Sequence, residues 1–208
     1  MSMTKIHRTL AQRCKSILGL IVAGMLLFGG ATQAQVNMNR YIKLNVVKDS
    51  VITLNWTADS ANTPVKIVSG DSVYNFTTTT GWIGDKSCYA ADDTMYVYGN
   101  VKYFSCSNNA KKITGVDISN NLGLTNFQCS GDSLSAIDVS KNTALTYLTC
   151  GGNQLTSLDV SKNTALITLI CYNNQLTSLD VSKNTADAHN SSLRIKHKSC
   201  NKTAENVH

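Results

Sequence analysis

A unit of 21 residues recurs without slippage at 113–133, 134–154 and 155–175, and a fourth copy begins at 176 and fails after 186. Units two and three are nearly identical, LSAIDVSKNTALTYLTCGGNQ followed by LTSLDVSKNTALITLICYNNQ. A period in this range specifies a stack of small supersecondary units, because one unit cannot bury its own apolar side and must lie against a copy. It points to a binding surface before it points to an active site.

The apolar positions keep phase within each unit. In unit three they are Leu155, Leu158, Val160, Leu166, Leu169 and Cys171. The alternations Leu158, Val160 and Leu169, Cys171 have the period of short strands with one buried face, so both halves of the unit are expected to lay parallel ladders. A polar residue follows each half where the chain must turn, and a buried amide there can bond the main chain of its own and the next coil. One such ladder is Asn109, Asp132, Asn153, Asn174; the other is Asn121, Asn142, Asn163, Asn184.

Cys106, Cys129, Cys150 and Cys171 occupy one repeat position and form a third, inward ladder. Strands about 4.8 Å apart meet the distance a disulfide needs. Parallel Cβ vectors do not suit its dihedral angle, so packed thiols are expected. Zinc is not indicated: there is no C-x-x-C pair and no histidine in phase.

The spelling L-x-x-L-x-[LC]-x-x-N-x-L, and in particular LTxLDVSxNTxLTxLxCxxNQ, resembles the internalin-like leucine-rich repeat proteins of bacteria, of the internalin J type with 21-residue cysteine-containing repeats. The matching stretch is roughly 101–186. The resemblance implies a leucine-rich repeat solenoid with little helix and a secreted or cell-surface role in adhesion or protein interaction. It also implies that the cysteine-side strand lines a concave face. The outward residues there vary from unit to unit: Tyr103 and Ser105, Asn126 and Gln128, Tyr147 and Thr149, Thr168, Ile170 and Tyr172. Those residues are the expected binding face, and tyrosines on a neutral polar strip suit a protein or glycan on another cell or surface. Outward residues of the other half, such as Ser157, Asp159 and Ser161, recur almost unchanged at 178, 180 and 182.

The N-terminus supports export independently. Lys5, Arg8, Arg13 and Lys15 precede an apolar run at 17–28 and small residues up to Ala34, the layout of a signal peptide over 1–34. The run is shorter than the roughly 20 residues of a membrane span, so no transmembrane anchor is expected after cleavage. These four cations also account for most of the formal net charge of +6; residues 35–186 carry 11 charges of each sign. No clustered basic face remains for nucleic acid.

Residues 35–98 differ in kind. Runs at 41–47, 51–56, 65–68 and 73–80 are rich in Val, Ile, Thr and aromatics, with turn residues between them. One four-stranded β region capping the first coil is expected there, with repeats over 99–186. Beyond 186 every expected core position fails, and 187–208 reads as an out-of-register, disordered tail. That break also admits a second reading, the truncated, non-binding remnant of a longer surface repeat protein.

No catalytic function is expected. G-x-S-x-G, G-x-x-x-x-G-K-[ST] and H-E-x-x-H are absent, and no histidine lies between His7 and His189. Asp117, Asp138, Asp159 and Asp180 repeat, but each lies between inward residues and so faces solvent, beside Lys141, Lys162 and Lys183 in the later units. The glycine-rich repeat of calcium-binding β-rolls is missing, so neither metal nor cofactor is expected.

Overall fold

The computed structural model describes residues 34–78, 81, 83–185 and, as backbone, 194–196. The expected leader lies outside the described residues apart from Ala34, and the expected tail lies outside them apart from 194–196. Among the described residues every regular element is a strand, no helix is present, and neither sheet closes on itself.

The N-terminal part holds six strands: β1 Tyr41–Val46, β2 Val51–Ala58, β3 Thr63–Ser69, β4 Ser72–Thr78, β5 Lys86–Tyr89 and β6 Thr94–Tyr98. Alternation sends Ile42, Leu44, Ile52, Leu54, Trp56, Ile67, Met95 and Val97 into a shared core. Chain reversals use backbone that only glycine or a small amide adopts readily: Asn62 (φ 60°) precedes β3, and Gly70 (φ 52°) makes the tight β3–β4 hairpin.

The expectation of one four-stranded sheet is corrected. Strands β1, β3, β4 and β6 lie in an antiparallel sheet of order β4-β3-β6-β1-β8, where β8 is Ile113–Asp117 of the first repeat. Strand β2 crosses to the other sheet and pairs with β5 on one side and β7 (Val101–Ser105) on the other. Both β5 and β6 are four- or five-residue pieces between charged turns, too short for their alternation to stand out.

From β7 onward each unit contributes one three-residue strand: β9 Asn126–Gln128, β10 Tyr147–Thr149 and β11 Thr168–Ile170. These pair in parallel, with Phe104, Phe127, Leu148 and Leu169 aligned and fully buried. The rings of Phe104 and Phe127 stack at 6.4 Å. Within the stretch read as a tail, β12 (Arg194–Lys196) pairs in parallel with β11, Thr168 against Arg194, five residues past the position a further 21-residue unit would supply. The second sheet therefore runs β12-β11-β10-β9-β7-β2-β5, from the repeats into the N-terminal part without a break.

The Asp-Val-Ser half of units two and three does not form the expected strand. Local hydrogen bonds take up its main chain instead: the Ser140, Ser161 and Ser182 amides donate to Asp138, Asp159 and Asp180 at 2.8–2.9 Å. The Asn142, Asn163 and Asn184 amides donate to the carbonyls of Val139, Val160 and Val181, closing a turn. In the first unit the same half is a strand, β8, because β1 offers it an edge to pair with.

At the head of the stack the N-terminal strands supply what a preceding coil supplies elsewhere. Asn109 accepts from the Thr53 amide (2.7 Å) and donates to the Thr53 carbonyl (2.9 Å) and to that of Cys106. On the other ladder Arg40 donates to Asn121 Oδ1 (2.6 Å) and to the Val101 carbonyl, and it forms an ion pair with Asp59 at 2.8 Å. Gly123 lies against that guanidinium so closely that a Cβ there would collide with it.

Candidate functional site

Three outward columns cross the parallel strands. Register aligns Tyr103, Asn126, Tyr147 and Thr168 in the first column and Ser105, Gln128, Thr149 and Ile170 in the second. Tyr172 belongs to a third column, just past the end of β11, together with Ser107, Ser130 and Gly151. It is 39% exposed, and its ring lies over Gly151, where a Cβ would approach the ring carbons to 3.3 Å. The tyrosines therefore stand on one face but in two columns, Tyr103 and Tyr147 on one margin and Tyr172 on the other.

Part of this surface is internally committed. Ser130 and Thr149 share a hydrogen bond of 2.8 Å, Ser107 accepts from the Ser130 amide, and Thr125 donates to Asn126 Oδ1. The aromatic rings, Gln128 and Ile170 carry most of the remaining recognition capacity, since Tyr offers large contact area at small entropic cost.

The face also extends past what the repeats foretell. Asn55 and Thr57 on β2 align with Ser105 and Tyr103 and continue both columns in register; Asn55 is buried and donates to Asp85 at 3.0 Å, so Thr57 is the one of the pair that adds open surface. The Tyr103 hydroxyl has its pKa raised chiefly by burial and further by Tyr147 and Asp85, against a lowering from Ser105. Repeat periodicity could not reveal Asn55, Thr57 or Asp85, because they lie outside the period; only antiparallel pairing across β2 and β7 brings them here.

Behind the face the residues are fixed by packing. Cys106, Cys129, Cys150 and Cys171 are thiols outside any disulfide and have no exposed surface, and burial raises the pKa of the first three. A thiol so shielded is neither nucleophile nor ligand.

The turn after each strand is left-handed at Asn108, Gly131, Gly152 and Asn173, with φ between 53° and 76°. The next residue is the ladder amide. Asn153 donates to the Cys129 and Cys150 carbonyls and accepts from the Leu134 amide, and Asn174 repeats this one coil on. On the opposite side Asn142, Asn163 and Asn184 each donate to two carbonyls of the preceding coil at 2.8–3.0 Å. Among the described residues their Oδ1 atoms meet no partner.

Asp132 occupies a ladder place with a carboxyl. It is 2% exposed, and burial lifts its pKa from 3.8 to about 7. The Asn109 and Ile113 amides oppose the shift, although neither oxygen reaches full hydrogen-bond geometry.

Among the described residues no group of three or more His, Cys, Asp or Glu side chains is placed to hold a metal, and no helix is long and apolar enough to cross a membrane. No protein-family model matches the sequence, and no curated protein matches it. It is similar to a solved structure of the functional domain of InlJ from Listeria monocytogenes, which includes a cysteine ladder, at 29% identity and a TM-score of 0.32. The likeness covers 43% of this chain and 28% of that one, so the chain spans well under two thirds of that protein's length.

Proposed function

We propose that this chain is an exported leucine-rich repeat protein of the internalin-like kind, built as a solenoid, that binds a protein partner through the outward face of its parallel strands. It acts by binding and carries out no catalysis. The observation that carries the reading is the contrast between its two sides. On the strand side, aligned positions hold Tyr, Asn, Tyr and Thr in one column and Ser, Gln, Thr and Ile in the next. On the opposite side the same Asp, Ser and Lys recur, and the Asp is engaged by its own turn. A uniform side serves folding alone, whereas chemistry that changes from strand to strand suits a particular partner. The charge-bearing leader and apolar run at the N-terminus support export to the cell surface or beyond.

The test is adhesion of beads coated with residues 35–208 to other cells and to immobilised surface proteins. A variant carrying Tyr147→Ser and Tyr172→Ser should lose more than about tenfold in binding, since truncating a contact aromatic commonly costs over 1 kcal/mol. A variant carrying Ser157→Ala and Ser178→Ala on the opposite side should bind as the parent does. Equal binding by all three proteins would remove the assignment. Adhesion to protein-free glycan surfaces alone would move the partner to a sugar.

A further inference from the structure

The outer face of the first sheet, remote in sequence from the repeats, carries an aromatic cluster. Tyr41, Tyr96 and Tyr98 project from neighbouring strands β1 and β6 with ring centroids 5.7–5.8 Å apart, and Tyr96 and Tyr98 stack within 13° of parallel. All three are half-buried, so one side of the cluster remains open to solvent. The Tyr98 pKa is raised first by partial burial and then by the neighbouring Tyr96 and Tyr41.

Two lysines bracket the rings diagonally. Register places Lys66 of β3 opposite Tyr98, and Lys43 of β1 opposite Tyr96. Neither ammonium group forms an ion pair among the described residues, where Arg40 pairs with Asp59. The carboxylate nearest in register, Asp117 opposite Lys43, accepts the Ser119 amide at 2.8 Å. The face thus offers a cluster of three rings with a lysine on each flank, Lys43 facing the Asp117 carboxylate and Lys66 facing no carboxylate in register.

We propose that this face binds an acidic glycan, its sugar rings lying on the tyrosines and its carboxylate or sulfate groups meeting Lys43 and Lys66. Charge complementarity selects an anionic occupant, because the two amines would otherwise stay solvated beside an apolar surface. The flat face selects a glycan over an acidic peptide. A peptide gains most of its affinity from main-chain pairing at a sheet edge, and the tyrosines lie on interior strands of the order β4-β3-β6-β1-β8. A pyranose instead presents an apolar ring face that covers an aromatic ring and hydroxyls that reach the tyrosine oxygens.

The experiment is titration calorimetry of residues 35–208 with oligogalacturonate and with a heparin oligosaccharide, using cello-oligosaccharide and poly-glutamate as comparison probes. Binding of one or both acidic glycans is expected, weakening as salt rises. It should fall at least tenfold in Tyr96→Ser/Tyr98→Ser and severalfold in Lys43→Gln/Lys66→Gln. Because the tyrosines also support the sheet, Tyr98→Phe serves as a second variant, which keeps the stack and should retain most of the affinity. Absence of binding to both acidic glycans would overturn the proposal. So would equal binding of the neutral oligosaccharide, tighter binding of poly-glutamate, or undiminished binding in a folded tyrosine variant. None of these outcomes bears on the repeat face, whose variants are separate.

Discussion

At Asp132 a single atom separates a ladder residue from a pH-dependent weakness. Asn153 and Asn174 satisfy two carbonyls with one amide nitrogen, and a carboxyl in the same place can donate only while protonated. Its folded pKa of about 7 lies above the unfolded value near 4, so between those limits the folded state holds a proton that the unfolded state has released. Stability therefore falls as pH rises from about 4 to 7 and levels off above. The full loss is on the order of 4 kcal/mol. Asp132→Asn should remove this slope: denaturant unfolding at pH 5 and pH 8 is expected to give the variant similar stabilities, with its advantage over the parent largest at pH 8. A parent protein equally stable at both values would show that the carboxyl finds partners when charged. The position was legible as a member of the asparagine ladder, but the depth of its burial was not, because phase says where a residue lies and not what faces it.

Within one repeat, strand and turn are held by different physics. The strand side is a parallel ladder two peptide groups deep, while the far side relies on the second column of asparagines. Replacing Asn163 by Leu would remove the side-chain donor from the Val139 and Asn142 carbonyls, which keep only the Asn142 and Leu145 amides of their own turn. At about 0.5–1.5 kcal/mol for each hydrogen bond lost, a loss of roughly 1–3 kcal/mol is expected, measurable as a lower urea midpoint. Asn163→Asp should fall near the same value at neutral pH. The inward Leu, Cys and Asn phases were readable because they are one-dimensional and repeat. The absence of a strand at the Asp-Val-Ser side was not, because Leu158, Val160 alternates as a strand would while Asp159 captures the Ser161 amide and curls the chain.

Across the described residues the β1–β8 and β2–β7 pairings join the N-terminal strands to the repeats, and a few side chains add to that join. Arg40 reaches the first coil's asparagine, a carbonyl of β7 and Asp59 with one guanidinium. Removing it in Arg40→Ala should cost about 2–4 kcal/mol, as hydrogen bonds to charged groups are worth about 1.5–3 kcal/mol and the Asp59 side is partly solvated. Hydrogen exchange should then show the Ile118 to Leu124 turn opening ahead of the N-terminal strands. Simultaneous loss of protection in both regions would mean that the β1–β8 and β2–β7 pairings set cooperativity without Arg40. Arg40 could not be found from the sequence: it precedes Asn121 by 81 residues and belongs to no pattern. The asparagine ladders have one more consequence. Each coil presents its successor with the same pair of carbonyls it received, so the stack has no preferred number of units. Inserting or deleting a 21-residue copy between β9 and β10 would change the reach of the protein by about 4.8 Å per copy while both ends stay as they are. Length is then free to vary by recombination between near-identical units, as a ruler whose graduations can be added or removed from the middle.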